Sequence, residues 1–203
     1  MKKIDLEKRE ALESPFFYTY AITDPEYYGD TLDSFEKTLS NVLKNFPIKM
    51  ICFRDKTTPQ IKELAQRCFE ISKKHKIEKV LLNGNPFLAQ ELGFDGVHLT
   101  SAQVELISSS KARGLVTYIS THTKQEIAQA KRLGADGVTF SPIFFKENKA
   151  DPKGCEQLKK IVEEFQEDCF DIFALGGITT KERLEQVKQT QCKGFASISY
   201  FFE

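Results

Sequence analysis

Leu133 to Phe144 reads LGADGVTFSPIF, and an earlier stretch, Leu92 to Thr100, reads LGFDGVHLT. The two are copies of one small unit. Gly93 matches Gly134, Asp95 matches Asp136, and Gly96-Val97 match Gly137-Val138, each 41 residues apart. The first glycine suits the left-handed position that ends a helix, and the apolar run after it suits a strand buried on both faces. A fainter third copy runs from Cys192 to Ser197 as CKGFAS. Repeated helix-turn-strand joints indicate alternating α and β units around a parallel sheet.

Working outward, the remaining strands fall at similar intervals. Phe17 to Thr23 is the first strand, ended by an Asp24-Pro25 turn, and a helix capped by Asp33 runs to Leu43. Strand two is Ile48 to Phe53. Thr58-Pro59 opens the next helix, with proline in its first turn. Strand three is Lys79 to Leu82, strand four Gly96 to Leu99, strand five Leu115 to Ile119, and a short helix covers Ser101 to Ser109. Thr123 with Glu126 forms a capping box for the helix to Leu133. Strand six is Val138 to Phe140, strand seven Asp171 to Leu175, strand eight Phe195 to Ile198. Helix spans Cys155 to Phe165, and Thr180 caps another that reaches about Gln189. Residues 3–13 form a short amphipathic helix, ended before Ser14-Pro15 and placed as a lid or cap. Eight strands separated by helices predict a single α/β domain over residues 1–203, a closed (β/α)₈ TIM barrel with a short N-terminal helix. A doubly wound open sheet is the alternative, weakened because no G-x-G-x-x-G follows strand one.

Composition narrows the classes of partner. The 203 residues are 40% hydrophobic, enough for a full core, and 29 basic residues balance 29 acidic ones. Zero net charge argues against nucleic acid or an anionic membrane as a bulk partner, so an anion site must be local. No apolar run approaches the roughly 18 residues of a membrane span, and Met1-Lys2-Lys3 leads into a charged helix, so a cytoplasmic protein is expected. Oligomeric state is left open, with a homo-oligomer among the choices. The cysteines, Cys52, Cys68, Cys155, Cys169 and Cys192, lack C-x-x-C spacing and read as reduced, mostly buried thiols. His75, His98 and His122 show no metal-ligand spacing.

In a parallel barrel the residues following each strand meet at one mouth. These are Thr23 and Asp24; Arg54, Asp55 and Lys56; Asn83; His98 and Thr100; Ser120 and His122; Ser141, Lys146 and Lys149; Gly176 and Gly177; Ser197 and Ser199. Gly176-Gly177 after strand seven, with Ser197 and Ser199 after strand eight, suit a phosphate held by backbone N–H groups, though a tight turn alone also explains the glycines. Arg54 and Lys56 read better as facing a bound anion than as surface charges. Lys146 and Lys149 either close over the mouth from the long loop 141–154 or stand as solvated lysines. His122 lies between a strand end and a helix N-terminus, where an imidazole can transfer protons near neutral pH. His98 reads as a packed, hydrogen-bonded core histidine and His75 as a surface one.

The motifs FRDK at Phe53 to Lys56, DGVHL at Asp95 to Leu99, STHT at Ser120 to Thr123, GADGVTFSPIF at Gly134 to Phe144 and ALGGIT at Ala174 to Thr179 occur in that order. Together they make the chain, from Tyr18 to Tyr200, resemble the thiamine phosphate synthase and thiazole tautomerase (TenI-like) family. The resemblance implies a barrel with a small phosphorylated heterocyclic substrate. The family's synthase joins a pyrimidine pyrophosphate to a thiazole phosphate with magnesium; its tautomerase aromatises a carboxylated thiazole phosphate by moving a proton. Two acidic positions expected of the synthase read Gly84 and Gln103 here, so no metal or other cofactor is expected. Asn83-Gly84 and Ala21 to Asp24 match the tautomerase-like pattern, and its proton carrier maps onto His122. The family's threonine-rich loop is replaced by Lys146 to Lys149, which keeps only the final lysine. The resemblance therefore implies a thiazole tautomerase. Arg54, Lys56, Asn83, Ser120, Lys149, Gly176, Gly177, Ser197 and Ser199 would bind its substrate. A thiamine phosphate synthase, or a non-catalytic binder of thiazole or thiamine phosphate, is the alternative.

Overall fold

The computed structural model describes residues 6–14, 16–145, 151–167 and 169–202. Residues 3–5 of the expected first helix, Pro15, and the loop positions Lys146 to Lys149 lie outside them. Eight parallel strands close into a barrel in sequence order: β1 Tyr18–Ile22, β2 Met50–Phe53, β3 Lys79–Asn83, β4 Gly96–Leu99, β5 Val116–Thr121, β6 Gly137–Phe140, β7 Asp171–Leu175 and β8 Gly194–Ser197. Pairing of Tyr18 with Gly194 and of Tyr20 with Ala196 closes the ring. The open-sheet alternative is thereby excluded. Helices α1 Leu6–Glu10, α2 Pro25–Tyr28, α3 Leu32–Asn45, α4 Ile61–Lys74, α5 Pro86–Glu91, α6 Leu106–Ala112, α7 Lys124–Arg132, α8 Gly154–Phe165 and α9 Lys181–Lys188 surround it.

The two full copies of the repeat perform the same two tasks. Gly93 and Gly134 end their helices at φ +75° and +88°. The aspartates that follow clamp neighbouring units: Asp95 accepts Val80 N–H at 2.7 Å and binds Lys73, while Asp136 accepts Thr117 N–H at 2.7 Å and binds Lys111. A carboxylate thus pins the start of the preceding strand and ties it to the preceding helix.

Two apolar layers result. One lies between the strands and the helices; the other fills the barrel with Tyr20, Ile22, Met50, Cys52, Leu81, Tyr118, Phe173 and Ala196. The second glycine of the repeat makes room for this inner layer. A Cβ on Gly96 would lie 2.8 Å from Leu81 Cδ2, one on Gly137 2.7 Å from Tyr118 Cε1, and one on Gly194 2.9 Å from Phe173 Cε1. Each would also meet a backbone oxygen of the adjacent strand at 2.0–2.4 Å. The large residues on β3, β5 and β7 therefore require glycine on the strand that follows, whereas on β1 and β2 Tyr20 pairs with Met50. Beneath this layer the barrel is sealed by a polar plug. Tyr118 Oη donates to Asp171 at 2.7 Å, Lys79 donates to Tyr118 Oη at 3.2 Å, and Lys193 lies 3.4 Å from Asp171.

Several element boundaries differ from the sequence expectations. Asp24-Pro25 does not simply turn: Asp24 accepts Glu26 N–H and caps α2. Thr31, not Asp33, caps α3, through a capping box with Ser34. Asp55 accepts the N–H groups of Thr57 and Thr58, which holds them in a turn and delays α4 to Ile61. The expected helix Ser101 to Ser109 is split into a 3₁₀ turn at Ser101–Gln103 and α6. The first helix is not a lid. Ala11 and Leu12, just past α1, are buried in the outer layer, and the Lys8 ammonium sits 5.1 Å over the Tyr200 ring. No helix follows β8 among the described residues, and α1 covers that flank instead.

Replacing Gly137 with alanine should therefore cost about 2 kcal/mol or more, because the methyl meets both Tyr118 and the Asp171 carbonyl. Urea unfolding of Gly137→Ala measures this; a midpoint within error of the parent would refute the packing account.

Candidate active site

At the C-terminal ends of the strands a cavity of about 460 Å³ opens. Ile22, Cys52, Arg54, Lys56, Asn83, His98, Thr100, Ser101, Ser120, His122, Ser141, Pro142, Leu175, Gly176 and Ile198 line it. A smaller cavity of about 200 Å³ adjoins it through Leu175, Gly176 and Ile198, and is completed by Gly177, Ile178, Thr179, Arg183, Ser197, Ser199, Tyr27 and Phe145. The expected residues Arg54, Lys56, Asn83, Ser120 and His122 meet in the larger chamber; Gly177, Ser197 and Ser199 meet in the smaller, and Gly176 belongs to both. A shallower depression of about 630 Å³ between α2 and the β2–α4 loop is lined by Pro25, Glu26, Asp30 and residues 57–60, away from His122.

His122 follows β5 directly and is held at both ends. Its N–H donates to Glu126 Oε2, the carboxylate that also accepts Thr123 N–H in the capping box. Its Nδ1 lies 3.0 Å from the Ser141 carbonyl oxygen. A carbonyl can only accept, so Nδ1 carries the hydrogen, with Ser141 Oγ a longer neighbour at 3.3 Å, and in the neutral ring Nε2 holds the lone pair. The neutral ring therefore offers a base at Nε2.

On the chamber floor His98 is 2% exposed, with Nδ1 2.6 Å from Tyr20 Oη and Nε2 3.1 Å from Ser120 Oγ. This is the packed, hydrogen-bonded histidine expected. Burial pushes its pKa down to about 4, so it stays neutral. Burial also pushes the Cys52 thiol up to about 12, which leaves it a poor nucleophile. The cysteines agree with the expectation of reduced, mostly buried thiols: all are unpaired, with Cys52, Cys68 and Cys192 buried, Cys155 half-buried and Cys169 exposed. His75, expected at the surface, is half-buried at the end of α4.

Arg54 is less available to an anion than its position after β2 suggests. Its guanidinium forms an ion pair with Asp24, and Thr23 Oγ1 bonds both the N–H and the carbonyl of Arg54. Lys56 is exposed at the rim. Asn83 donates to the His98 carbonyl at 2.9 Å, which spends part of its amide on the fold. Ser197 Oγ likewise donates to Ile178 O and accepts Tyr200 N–H, so its hydroxyl closes a turn at the edge of the small chamber. Asp55 is committed as well. Burial raises its pKa, but hydrogen bonds from Thr57 and Thr58 outweigh this and bring it below the ordinary carboxylate value.

The two positions where the synthase pattern carries acids touch one another. Gln103 Nε2 donates to the Gly84 carbonyl at 2.8 Å, while its Oε1 accepts from Thr100 N and Thr100 Oγ1 at 3.0 and 3.1 Å. The Gln103 side chain is thus consumed by the 3₁₀ turn, and Gly84 offers no side chain. Among the described residues no three His, Cys, Asp or Glu side chains form a group able to hold a metal ion. These residues do not fit the magnesium that the synthase pattern implies.

Gly176 and Gly177, at φ +99° and +70°, make the tight turn after β7. They let the β6 loop approach closely, with Phe144 N–H donating to Gly176 O at 3.0 Å, and they line the small chamber. Sequence reasoning missed Arg183. It sits in the first turn of α9, lines the small chamber, and donates to Gly177 O at 2.7 Å. The signal was available: a cation near a helix N-terminus opposes the macrodipole and calls for another reason to be there.

Fold and site together define a closed (β/α)₈ barrel enzyme with a two-part chamber at the C-terminal strand ends. The family model described as thiamine monophosphate synthase matches residues 19–201, and the chain belongs to that family. It is 32% identical over 190 residues to a protein of Aquifex aeolicus provisionally named thiamine-phosphate synthase 2, covering 91% of this chain and 97% of that one. It is 33% identical over 174 residues to the thiamine-phosphate synthase of Caldicellulosiruptor bescii, covering 80% and 75%. Among solved structures, thiamine phosphate pyrophosphorylase from Pyrococcus furiosus shares the fold, with a TM-score of 0.77 at 24% identity over 94% of this chain and 87% of that one. These relatives are named for the synthase, so their names lend the isomerase expectation no support. No helix among the described residues is long and apolar enough to cross a membrane.

Two outcomes follow from this geometry. The folded state keeps His98 neutral while the unfolded chain protonates it first, so stability falls as pH drops from about 6.5 to about 4, by up to roughly 3 kcal/mol. Urea midpoints across that range, compared with those of His98→Asn, should show a shallower slope in the variant; equal slopes would contradict it. On the expectation that the small chamber holds a phosphate, Arg183→Gln should weaken inorganic phosphate binding about tenfold, the scale of one charge-assisted hydrogen bond; calorimetry giving an unchanged affinity would remove Arg183 from that role.

Proposed function

We propose that this chain is a thiamine-biosynthetic enzyme that binds a thiazole phosphate and isomerises its carboxylated form by proton transfer at His122. The observation that supports this reading is the His122–Ser141 hydrogen bond, which assigns the hydrogen of the neutral ring to Nδ1 and the lone pair to Nε2, on a residue that lines the larger chamber. In this reading the phosphate occupies the smaller chamber near Gly176, Gly177, Ser199 and Arg183, and the ring lies in the larger. Lys56 and Lys149 would attract the anion. His122 Nε2 takes a proton from one ring carbon, becomes an imidazolium still bonded to the Ser141 carbonyl, and returns the proton at a second carbon. No net proton is gained or lost and no metal takes part.

A second reading, the transferase joining a pyrimidine pyrophosphate to a thiazole phosphate, is favoured by the names of the relatives. Against it stands the Gln103–Gly84 contact, which leaves the pyrophosphate without the expected carboxylate-bound cation. Purified full-length protein given the carboxythiazole phosphate tautomer, and separately the two synthase substrates with magnesium, distinguishes the readings. Isomerisation above background without added metal is expected. Magnesium-dependent pyrophosphate release at an ordinary enzymatic rate would replace the isomerase reading with the transferase. Ligand binding with neither activity would leave a binding protein.

General acid–base help is worth on the order of 10² to 10⁴ in rate. His122→Gln should therefore lower kcat by that range while phosphate affinity changes little. Normal turnover with a lowered unfolding midpoint would reduce His122 to a structural role.

A further inference from the structure

Tyr20, His98 and Ser120 form a hydrogen-bonded line across the barrel, from its apolar interior to the chamber floor. Tyr20 is fully buried and does not line the chamber; Ser120 does. The direction of the hydrogen bonds along this line can be read from their lengths. The 2.6 Å separation of Tyr20 Oη and His98 Nδ1 is shorter than N–H donors usually reach and lies within the range of O–H donors. The 3.1 Å separation of His98 Nε2 and Ser120 Oγ is ordinary for an N–H donor and long for a hydroxyl. Both lengths favour one tautomer: Tyr20 O–H donates to Nδ1 in preference to the neighbouring Cys52 sulfur, and Nε2–H donates to Ser120 Oγ, nearer than its other hydroxyl neighbour, Thr139 Oγ1 at 3.5 Å.

Ser120 therefore receives a hydrogen from behind, and its own hydrogen is left to point elsewhere. Thr139 Oγ1 lies 3.5 Å from both Ser120 Oγ and His98 Nε2, longer than the 3.1 Å between those two, so it does not reverse this order. We propose that Tyr20 and His98 are positioning residues that fix the Ser120 hydroxyl as a permanent donor into the chamber, matched to a substrate atom that only accepts, such as a carboxylate or unprotonated ring-nitrogen acceptor. Ser120 is then the catalytic group opposite His122: one takes the proton, the other stabilises the charge that develops on the substrate. The line does not pass a net proton. Delivering one from Ser120 would leave a tyrosinate at Tyr20, and burial holds that phenol well above its ordinary pKa.

The hydrogen-bond direction stands on the geometry alone; the catalytic role of Ser120 rests on the isomerase reading. Nitrogen NMR of the ¹⁵N-histidine-labelled protein without ligand reads the direction. The expected result is a neutral His98 ring with hydrogen on Nε2; hydrogen on Nδ1 would overturn the proposal whatever reaction the protein catalyses. Ser120→Ala should lower kcat/KM for the carboxythiazole phosphate about tenfold or more, and Tyr20→Phe somewhat less. Because Tyr20 acts through Ser120, the double variant should be no worse than Ser120→Ala alone. Additive losses would reduce Tyr20 to a packing role and refute the proposal. If the wild type shows no isomerisation, the isomerase reading fails, and the proposal is then judged by the ring tautomer and by the same cycle applied to affinity for the carboxythiazole phosphate. Additive losses in affinity refute it there too.

Discussion

A closed eight-stranded barrel has an interior of fixed cross-section, and every inward side chain competes for it. In this chain the competition is settled by pairing large with absent. Leu81, Tyr118 and Phe173 on odd strands project across the positions where Gly96, Gly137 and Gly194 carry no side chain. The same glycines bring neighbouring backbones within a distance that no Cβ tolerates. The close pairing of β3 with β4 and the packing of the lower half of the barrel depend on this arrangement, as do the β5–β6 and β7–β8 pairs.

The upper half follows a different rule. Beyond the aromatic layer the inward positions become Cys52, Asn83, Ser120 and Ser141, small or polar residues that cannot fill the same cross-section. A chamber opens because the taper runs from tyrosine and phenylalanine to serine. His98 marks the border, with an aromatic neighbour below and a serine above. Its neutrality lets a polar group sit there without an uncompensated buried charge.

Much of this was legible in the sequence because each signal was local. Gly96–Leu99 and Asp171–Leu175 were located to the residue, since apolar runs bounded by acidic residues or glycine leave little choice of register. The ring of strand-end residues was legible once the barrel was assumed. Helix starts were less so, because Thr31 and Asp33 are both competent caps and only the Ser34 reciprocal bond decides between them. Contacts across the barrel carried no sequence signal. Tyr20 and His98 are 78 residues apart, and the Arg54 pairing with Asp24 joins two strand ends that look independent in the chain. The inward role of the second repeat glycine was hidden for the same reason: its reason lies on another strand.

The plug of Tyr118, Asp171, Lys79 and Lys193 makes the chamber a blind well. With the far end sealed, whatever enters by the strand C-termini must leave by the same opening, and water displaced by a ligand has only that route as well. Arrival and departure therefore exclude one another in time. One doorway, shared by the incoming and outgoing molecule, would bound the throughput of the proposed reaction independently of how fast its chemistry can run.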